Sequence, residues 1–142
     1  MFVRDLLQHK GSGVWTIGPE ATVYCALEMM AEKDVGALVV VENERVIGMF
    51  TERDYARKVI LKGKASRNTT VGDLMTREVV FVGPADKVEQ CMALMTNRHQ
   101  RHLPVMEQGK LVGLVSIGDV VKNIIRHQEF TIQELERYIT GA

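Results

Sequence analysis

The chain has 142 residues, of which 46% are hydrophobic and 25% charged, and its formal net charge is zero. This composition is typical of a soluble globular protein and argues against one that binds mainly to nucleic-acid phosphates. The longest apolar stretch, residues 37–41, is far too short to span a bilayer, and the N-terminus has no signal-peptide apolar core. We therefore expect a cytoplasmic protein without membrane contact.

The chain contains one pattern twice, sixty-five residues apart. Gly48 is matched by Gly113, and Asp54 is matched by Asp119. A tandem repeat of this size usually forms two similar half-domains packed about a pseudo-twofold axis. Such packing creates clefts related by the same axis, and we expect the function to lie in those clefts.

Each repeat predicts the order strand, helix, strand, strand, helix. A Gly-Pro pair ends the first segment, apolar residues at helical spacing follow, and two short β-branched runs flank a polar turn. The first helices are predicted at 23–31 and 88–95, the strand pairs at 37–50 and 103–115, and the closing helices at 54–62 and 119–126. The fold class is α+β, with the strands at 37–41 and 103–106 buried.

Polar residues set the predicted boundaries. Residues 64–70 read as a linker, so the first unit spans residues 1–63 and the second residues 71–127. Within residues 128–142, Thr131 to Glu134 has the spacing of a capping box, which predicts a separate C-terminal helix. Its apolar stripe, Leu135, Tyr138 and Ile139, requires cover from this chain or from a partner.

The strongest local motif is a glycine, two apolar residues, a hydroxyl residue, two variable residues and an aspartate, at 48–54 and 113–119. One interpretation is a helix start, in which the hydroxyl caps the helix and the carboxylate lies in its first turn. The other adds a ligand, because a helix N-terminus attracts anions and an ionised aspartate accepts the hydroxyls of a ribose. The motif alone leaves both open.

The two copies differ in basic residues. The second has Arg98, His99, Arg101 and His102, which form either a solvated corner or a cluster that binds phosphate. The two histidines have no third ligand nearby, so no metal is expected. No nucleophile setting or phosphate-binding loop of an enzyme is recognised, so we expect no catalytic residues. Both cysteines are expected to be buried apolar side chains.

The doubled motif resembles a tandem pair of CBS domains, the cystathionine β-synthase-type unit also called a Bateman module. Residues 71–76, 101–105 and 51–55 are similar to segments common in that family. The whole chain resembles the stand-alone CBS-pair proteins, which implies two β-α-β-β-α units that bind an adenosyl ligand.

The resemblance also implies a role for particular residues. The motif aspartates Asp54 and Asp119 would hold ribose, and the motif hydroxyls Thr51 and Ser116 would meet phosphate. Arg101 and His102 resemble a basic pair that contacts phosphate, with Arg53 as a further candidate. The adenine slots would be formed by Thr16, Ile17, Val35, Gly36, Ala37 and Leu38 in one unit, and by Phe81, Val82, Arg101, His102 and Leu103 in the other.

The predicted function is an adenine-nucleotide sensor that is not an enzyme and has no catalytic cofactor. AMP is the first choice, with NAD(H), ADP, ATP or S-adenosylmethionine as alternatives. The ligand would act by changing the conformation or the affinity for a partner protein, and the protein is expected to be a homodimer. Two other hypotheses remain: a thiol-redox or protein-interaction adaptor with vestigial clefts, and a nucleic-acid-binding module that uses the basic corner.

Overall fold

The computed structural model describes residues 1–11 and 13–141. The first part of the chain forms α1 (Val3–Lys10), β1 (Thr16–Ile17), α2 (Val23–Lys33), β2 (Ala37–Glu42), β3 (Arg45–Thr51) and α3 (Glu52–Asp54), which continues as a π-helix over Tyr55–Ile60. A 3-10 turn (Ser66–Asn68) precedes α4 (Val71–Leu74), α5 (Val88–Arg98), β4 (His102–Glu107), β5 (Lys110–Ser116) and α6 (Ile117–Thr140). The predicted α+β class with two related units is confirmed.

The two sheets repeat one register. In the first, β1 runs parallel to β2, and β2 pairs antiparallel with β3 so that Val40 faces Gly48. In the second, β4 pairs with β5 so that Val105 faces Gly113. The first strand of the second unit is reduced to one parallel bridge, between Val82 and Val105. The predicted burial holds for residues 37–40 and 103–105, while the last residue of each run is partly exposed.

A short helix begins each repeat, α1 in the first and α4 in the second, and is called its lead-in helix. The hydrophobic core has two clusters, one per repeat, called half-cores, and each contains the lead-in helix of the other repeat. Val3 and Leu6 of α1 are buried against second-repeat residues, while Val71 and Leu74 of α4 are buried against first-repeat residues. Backbone bonds fix both exchanges: Val3 N donates to the Asp86 carbonyl at 2.8 Å, and Val71 N donates to the Ala21 carbonyl at 2.8 Å. Neither half can complete its core without the other, so the repeats are joined by packing as well as by chain connection.

The repeated glycines admit these exchanged segments. Met49 and Thr76 exchange two backbone bonds of 2.9 and 2.8 Å beside Gly48. A β-carbon at Gly48 would lie 2.7 Å from the Thr76 carbonyl oxygen, whereas one at Gly113 would lie 2.7 Å from the Leu7 side chain. In both copies, the motif glycine therefore leaves room for a lead-in segment that approaches the last strand closely.

The predicted helix start at Thr131 is wrong, because α6 runs without a break from Ile117 to Thr140. No proline or glycine occurs between Asp119 and the C-terminal Gly141, which caps the helix. The Thr131 hydroxyl donates to the His127 carbonyl at 3.0 Å, one turn back, and caps nothing. The capping-box spacing therefore falls inside a helix. No helix among residues 1–11 and 13–141 is long and apolar enough to cross a bilayer.

We expect Gly48→Ala to destabilise the protein by about 1–3 kcal/mol, because its methyl group would overlap a backbone carbonyl that is held in a bridge. Gly113→Ala is the matched control and should cost less, since the Leu7 side chain can rotate away. Urea unfolding of both variants measures the difference. A Gly48→Ala protein as stable as the wild type would contradict the proposed role of the glycine.

Candidate functional site

A cavity of about 540 Å³ lies between the two halves. The last strand of the first repeat and the helix that follows it form one wall. The segment after α4 and the corner between α5 and β4 form the other. The lining residues are Gly36, Met49, Thr51, Glu52, Arg53, Asp54, Arg57, Thr76, Glu78, Val79, Arg98, His99, Gln100, Arg101 and His102.

Asp54 is a buried carboxylate at the start of α3. Its Oδ2 accepts from the Thr51 amide at 3.0 Å and from the Thr51 hydroxyl at 3.1 Å. Its Oδ1 accepts from the Thr76 hydroxyl at 3.0 Å and from the Lys58 ammonium at 3.0 Å. The Thr51 hydroxyl in turn accepts from the Asp54 amide at 3.1 Å, which completes a capping box. A carboxylate has about four acceptor positions, so all of those on Asp54 are occupied.

Cationic side chains dominate the remainder of the cavity. Four arginines and two histidines line it, against three carboxylates. Arg53 also donates to the His99 carbonyl at 3.4 Å and so connects the two halves. Arg57 lies in the π-helical segment, a type of irregularity that is frequent at functional sites. The arrangement is suited to an anion that meets both halves at once.

Gln100 holds the opposite wall in place. Its side-chain oxygen accepts from the Val80 amide at 3.1 Å, and its nitrogen donates to the Val80 carbonyl at 3.1 Å and to the His102 carbonyl at 2.8 Å. These bonds tie the segment before α5 to the first residue of β4. The sequence offered no signal for this role, because one glutamine at a polar corner has many explanations.

His102 lies between the cavity and the second motif. The position of a β-carbon on Gly36 lies 3.9 Å from its Nε2, and its backbone pairs with Ser116 across the second sheet. Burial lowers the pKa of His102 below 6.5, and the positive charges of Lys10 and Arg101 lower the same pKa further, against an opposing effect of Asp119. The side chain is therefore mainly neutral at neutral pH.

Asp119 has different partners from Asp54. The Lys10 ammonium donates to its Oδ2 at 2.6 Å and to the Leu114 carbonyl at 2.7 Å. The Ser116 amide donates to the same carboxylate oxygen at 2.8 Å. Burial alone would raise the pKa of Asp119, but the bonds from Lys10 and Ser116 lower it below 3.8. This carboxylate is thus held ionised by a lysine from the other end of the chain.

The cavity brings together six of the predicted site residues: Gly36, Thr51, Arg53, Asp54, Arg101 and His102. Ten others do not line it. Ile17, Leu38, Val82 and Leu103 are buried in the half-cores, Ala37 is buried outside them, Thr16 and Phe81 are exposed, and Val35 is intermediate. Ser116 and Asp119 belong to the second motif, where Lys10 is bound. The assignments of adenine-slot residues remain predictions.

Sequence reasoning missed several lining residues. Thr76, Glu78 and Val79 follow a lead-in helix that packs against the other repeat, so their position depends on the exchange of lead-ins. Met49 and Glu52 lie inside the recognised motif, at places where the pattern allows any apolar or any variable residue. Of these residues, only Met49 and Glu52 could have been found from the sequence, because they lie close to the motif aspartate along the chain.

Comparisons with known proteins identify the fold and the repeats. The family model of the CBS domain matches residues 3–61 and 71–126. The mitochondrial CBS domain-containing protein CBSX3 of Arabidopsis thaliana is 41% identical over 149 residues, covering 99% of this chain and 72% of that protein.

Solved structures agree with this match. A protein of Burkholderia ambifaria, described as a signal-transduction protein with CBS domains, is 46% identical with a TM-score of 0.87, covering 90% of this chain and 96% of the other. A hexameric CBS-CP12 protein from bloom-forming cyanobacteria is 27% identical with a TM-score of 0.77, covering 85% of this chain and 66% of the other.

The lowered pKa of His102 predicts a stability that depends on pH. The folded state binds fewer protons at this site than the unfolded chain, so its contribution is complete above pH 6.5 and is lost as the pH falls through 6.5 towards the lower folded-state pKa. Unfolding free energies of wild type and His102→Gln, compared between about pH 8 and pH 5.5, should therefore converge or cross as the pH falls. His127→Gln, on the exposed part of α6, controls for loss of a histidine. A difference between wild type and His102→Gln that is independent of pH would refute the assignment.

Proposed function

The chain belongs to the CBS domain family, with two units in tandem, and we propose that it is a regulatory module that binds an adenine nucleotide in the cavity between its halves. One observation carries the proposal. The cavity presents the buried Asp54 carboxylate at one position, and elsewhere arginines from both halves and two histidines from the second. A nucleotide has the complementary chemistry, because its ribose offers hydroxyl donors and its phosphate is an anion.

The ribose would replace an existing partner of Asp54. Lys58 is the partner that can leave most easily: its side chain is 41% exposed. It also has other acceptors at hand, the Leu74 carbonyl at 3.1 Å and the Thr76 hydroxyl at 3.4 Å. A ribose hydroxyl that takes its place restores the hydrogen bond to a charged acceptor. Recognition then couples ligand binding to a local movement of the π-helical segment that carries Lys58.

The phosphate would meet Arg53, Arg101 and His102. Thr51 is a weaker candidate than the motif suggests, because its hydroxyl already donates to Asp54 and accepts from the Asp54 amide. Arg53 bonds the His99 carbonyl through Nη1, so its other N–H groups, together with those of Arg101, can contact phosphate oxygens. Phosphate near His102 would favour its protonated form, so binding should strengthen as the pH is lowered towards 6.

AMP remains the first choice of ligand. A volume of about 540 Å³ suits a small molecule of this class. ADP, ATP and NAD(H) share the adenosine and add negative charge that the arginines could accept. S-adenosylmethionine carries a positive sulfonium group and fits the cationic wall less well.

A ligand that contacts both halves can regulate. The cavity is lined by residues of both repeats, and each repeat completes the core of the other. A nucleotide would favour the relative position of the halves that places Asp54 and Arg101 at the correct separation. We propose that this conformational bias, rather than catalysis, is the output, and that it alters the affinity for a partner protein in the cytoplasm.

The thiol-redox hypothesis is less well supported. Cys91 is buried, and burial raises its pKa to about 11, so the reactive thiolate is scarce at neutral pH. Cys25 is exposed, so the expectation that both cysteines are buried was wrong. For the nucleic-acid hypothesis, the basic corner faces a half-open cleft that it shares with the carboxylates of Asp54 and Glu78, which suits a small anion better than a duplex backbone.

Asp54→Ala is expected to weaken AMP binding by at least about tenfold, because a hydrogen bond to a charged group is worth about 1.5–3 kcal/mol. Isothermal titration calorimetry of the folded variant measures the loss. Asp5→Ala is the matched control: the Asp5 carboxylate accepts from the Phe2 amide at the start of α1, as Asp54 accepts from the Thr51 amide, and does not line the cavity, so its removal tests the helix-start role alone.

Arg101→Ala separates phosphate recognition from adenosine recognition. Its loss should reduce AMP affinity while leaving adenosine affinity nearly unchanged, in the same titrations.

Undiminished AMP binding in folded Asp54→Ala protein would show that the carboxylate serves only the helix start, and would overturn the proposed site.

We also propose that the protein is a homodimer, and that α6 supplies the contact. Val121, Ile125, Ile132, Leu135 and Ile139 are exposed and follow the alternating spacing of a coiled-coil seam, with Gln128 at the one polar position. Such a seam is complementary to a helix with the same spacing, and a second copy supplies one. The hexameric relative provides a precedent for assembly by this fold.

Sedimentation at micromolar concentration should give twice the chain mass of 16.0 kDa. Leu135→Asp should give a monomer that still binds AMP, because a charge at the seam cannot be buried without a partner. Gln133→Asp, on the polar face of the same helix, should leave the dimer intact. A wild-type monomer, or a Leu135→Asp dimer, would exclude α6 as the contact.

A further inference from the structure

We propose that Lys10 fills the second cleft of the CBS pair, so that each chain binds one nucleotide, at Asp54, although the sequence repeats the ribose-binding motif twice. The inference rests on the proposed function. It adds that Lys10 determines which of two related sites is open, and that its removal creates a second adenosine site at Asp119.

The segments that begin the two repeats can be aligned residue by residue. The lead-in segments align sixty-eight residues apart, with Val3 on Val71 and Asp5 on Asp73. In that alignment Lys10 corresponds to Glu78. Glu78 lines the open cavity of the first cleft. At this aligned position the first repeat thus carries a cation and the second an acidic side chain.

The course of the backbone differs between the two lead-in segments. Helix α4 ends at Leu74, and the chain then pairs with β3 through the bridge between Met49 and Thr76. Helix α1 continues for a further turn, to Lys10. The repeat relates the Leu114 carbonyl to the Met49 carbonyl. The Leu114 carbonyl accepts from the Lys10 ammonium at 2.7 Å, whereas the Met49 carbonyl accepts from a backbone amide. The longer helix thus delivers a side chain where the other half places backbone.

Lys10 contacts the motif aspartate of the second cleft directly. Lys10 donates to Asp119 at 2.6 Å, and its side chain and that of Asp119 are 31% and 19% exposed. A ribose that uses both carboxylate oxygens must displace this ammonium. The Lys10–Asp119 contact of 2.6 Å is shorter than the 3.0 Å contact of Lys58 with Asp54, and a displaced Lys10 keeps only one of its present acceptors, the Leu114 carbonyl. In the first cleft, the lysine on the motif aspartate comes from the adjacent helix and keeps two other acceptors.

The positions that contribute arginine and histidine to the first cleft have different residues in the other repeat. Arg101 and His102 correspond to Gly36 and Ala37 in the other half. Arg98 corresponds to Lys33, whose ammonium lies over the Trp15 ring, 4.4 Å from its centre. These equivalent positions therefore offer the second cleft no arginine or histidine to recover, through phosphate, the free energy of displacing Lys10.

The test is the stoichiometry of binding. Equilibrium dialysis with labelled AMP, and separately with labelled adenosine, should give one ligand per wild-type chain. Lys10→Ala should raise this to two with adenosine, which needs no phosphate contact, and Lys10→Ala/Asp119→Ala should return it to one. Lys62→Ala is the control, because Lys62 is exposed and lies outside the cavity lining. Alanine is a good helix former, so α1 should persist, which circular dichroism checks.

The outcomes separate the two proposals. Two ligands on the wild-type chain, or one on folded Lys10→Ala with both probes, overturns the role of Lys10 and leaves the Asp54 site standing. No ligand on wild type with either probe overturns the proposed function and this inference with it. A readout without nucleotide is also available: Lys10→Ala should raise the pKa of Asp119, measured by NMR, because the lysine now lowers it. An unchanged Asp119 pKa would remove the contact on which the inference rests.

Discussion

The exchange of lead-in helices is the constraint on which the rest of the structure depends. Val3 and Leu6 complete the second half-core, and Val71 and Leu74 complete the first. Burying each pair removes apolar surface from water only when both halves are in place. The same exchange carries Thr76 and Glu78 to one cleft and Lys10 to the other. Core packing and the composition of the clefts are therefore decided together.

The two clefts share a backbone plan but differ in charge. In both, a hydroxyl residue and an aspartate form a capping box at the start of the helix after the last strand. The helix-start interpretation of the motif is thus correct for both copies. What differs is the additional partner of each carboxylate: Thr76 and Lys58 bond the second oxygen of Asp54, whereas Lys10 bonds the same oxygen of Asp119 that accepts from the Ser116 amide. A shared capping role and a different ligand role can coexist, because a carboxylate has more acceptor positions than a cap requires.

Much of the fold was predictable because the signals are local. Apolar spacing indicated the helices, β-branched runs indicated the strand pairs, and the repeat indicated two similar units. The error at Thr131 arose because a capping pattern is equally compatible with a helix interior when the hydroxyl can bond to a carbonyl one turn back. Local pattern could not decide between these, since nothing upstream of Thr131 breaks the helix.

The sequence by itself determined the doubled motif, the two capped aspartates and the basic corner at Arg101 and His102, because these depend on residue type and short spacing. Only the tertiary structure decided that the corner faces Asp54, that Gln100 fixes its wall, and that Lys10 lies on Asp119. The physical reason is sequence separation. Lys10 and Asp119 are brought together by burial of α1 in the opposite half-core, a packing event that no pattern around either residue records.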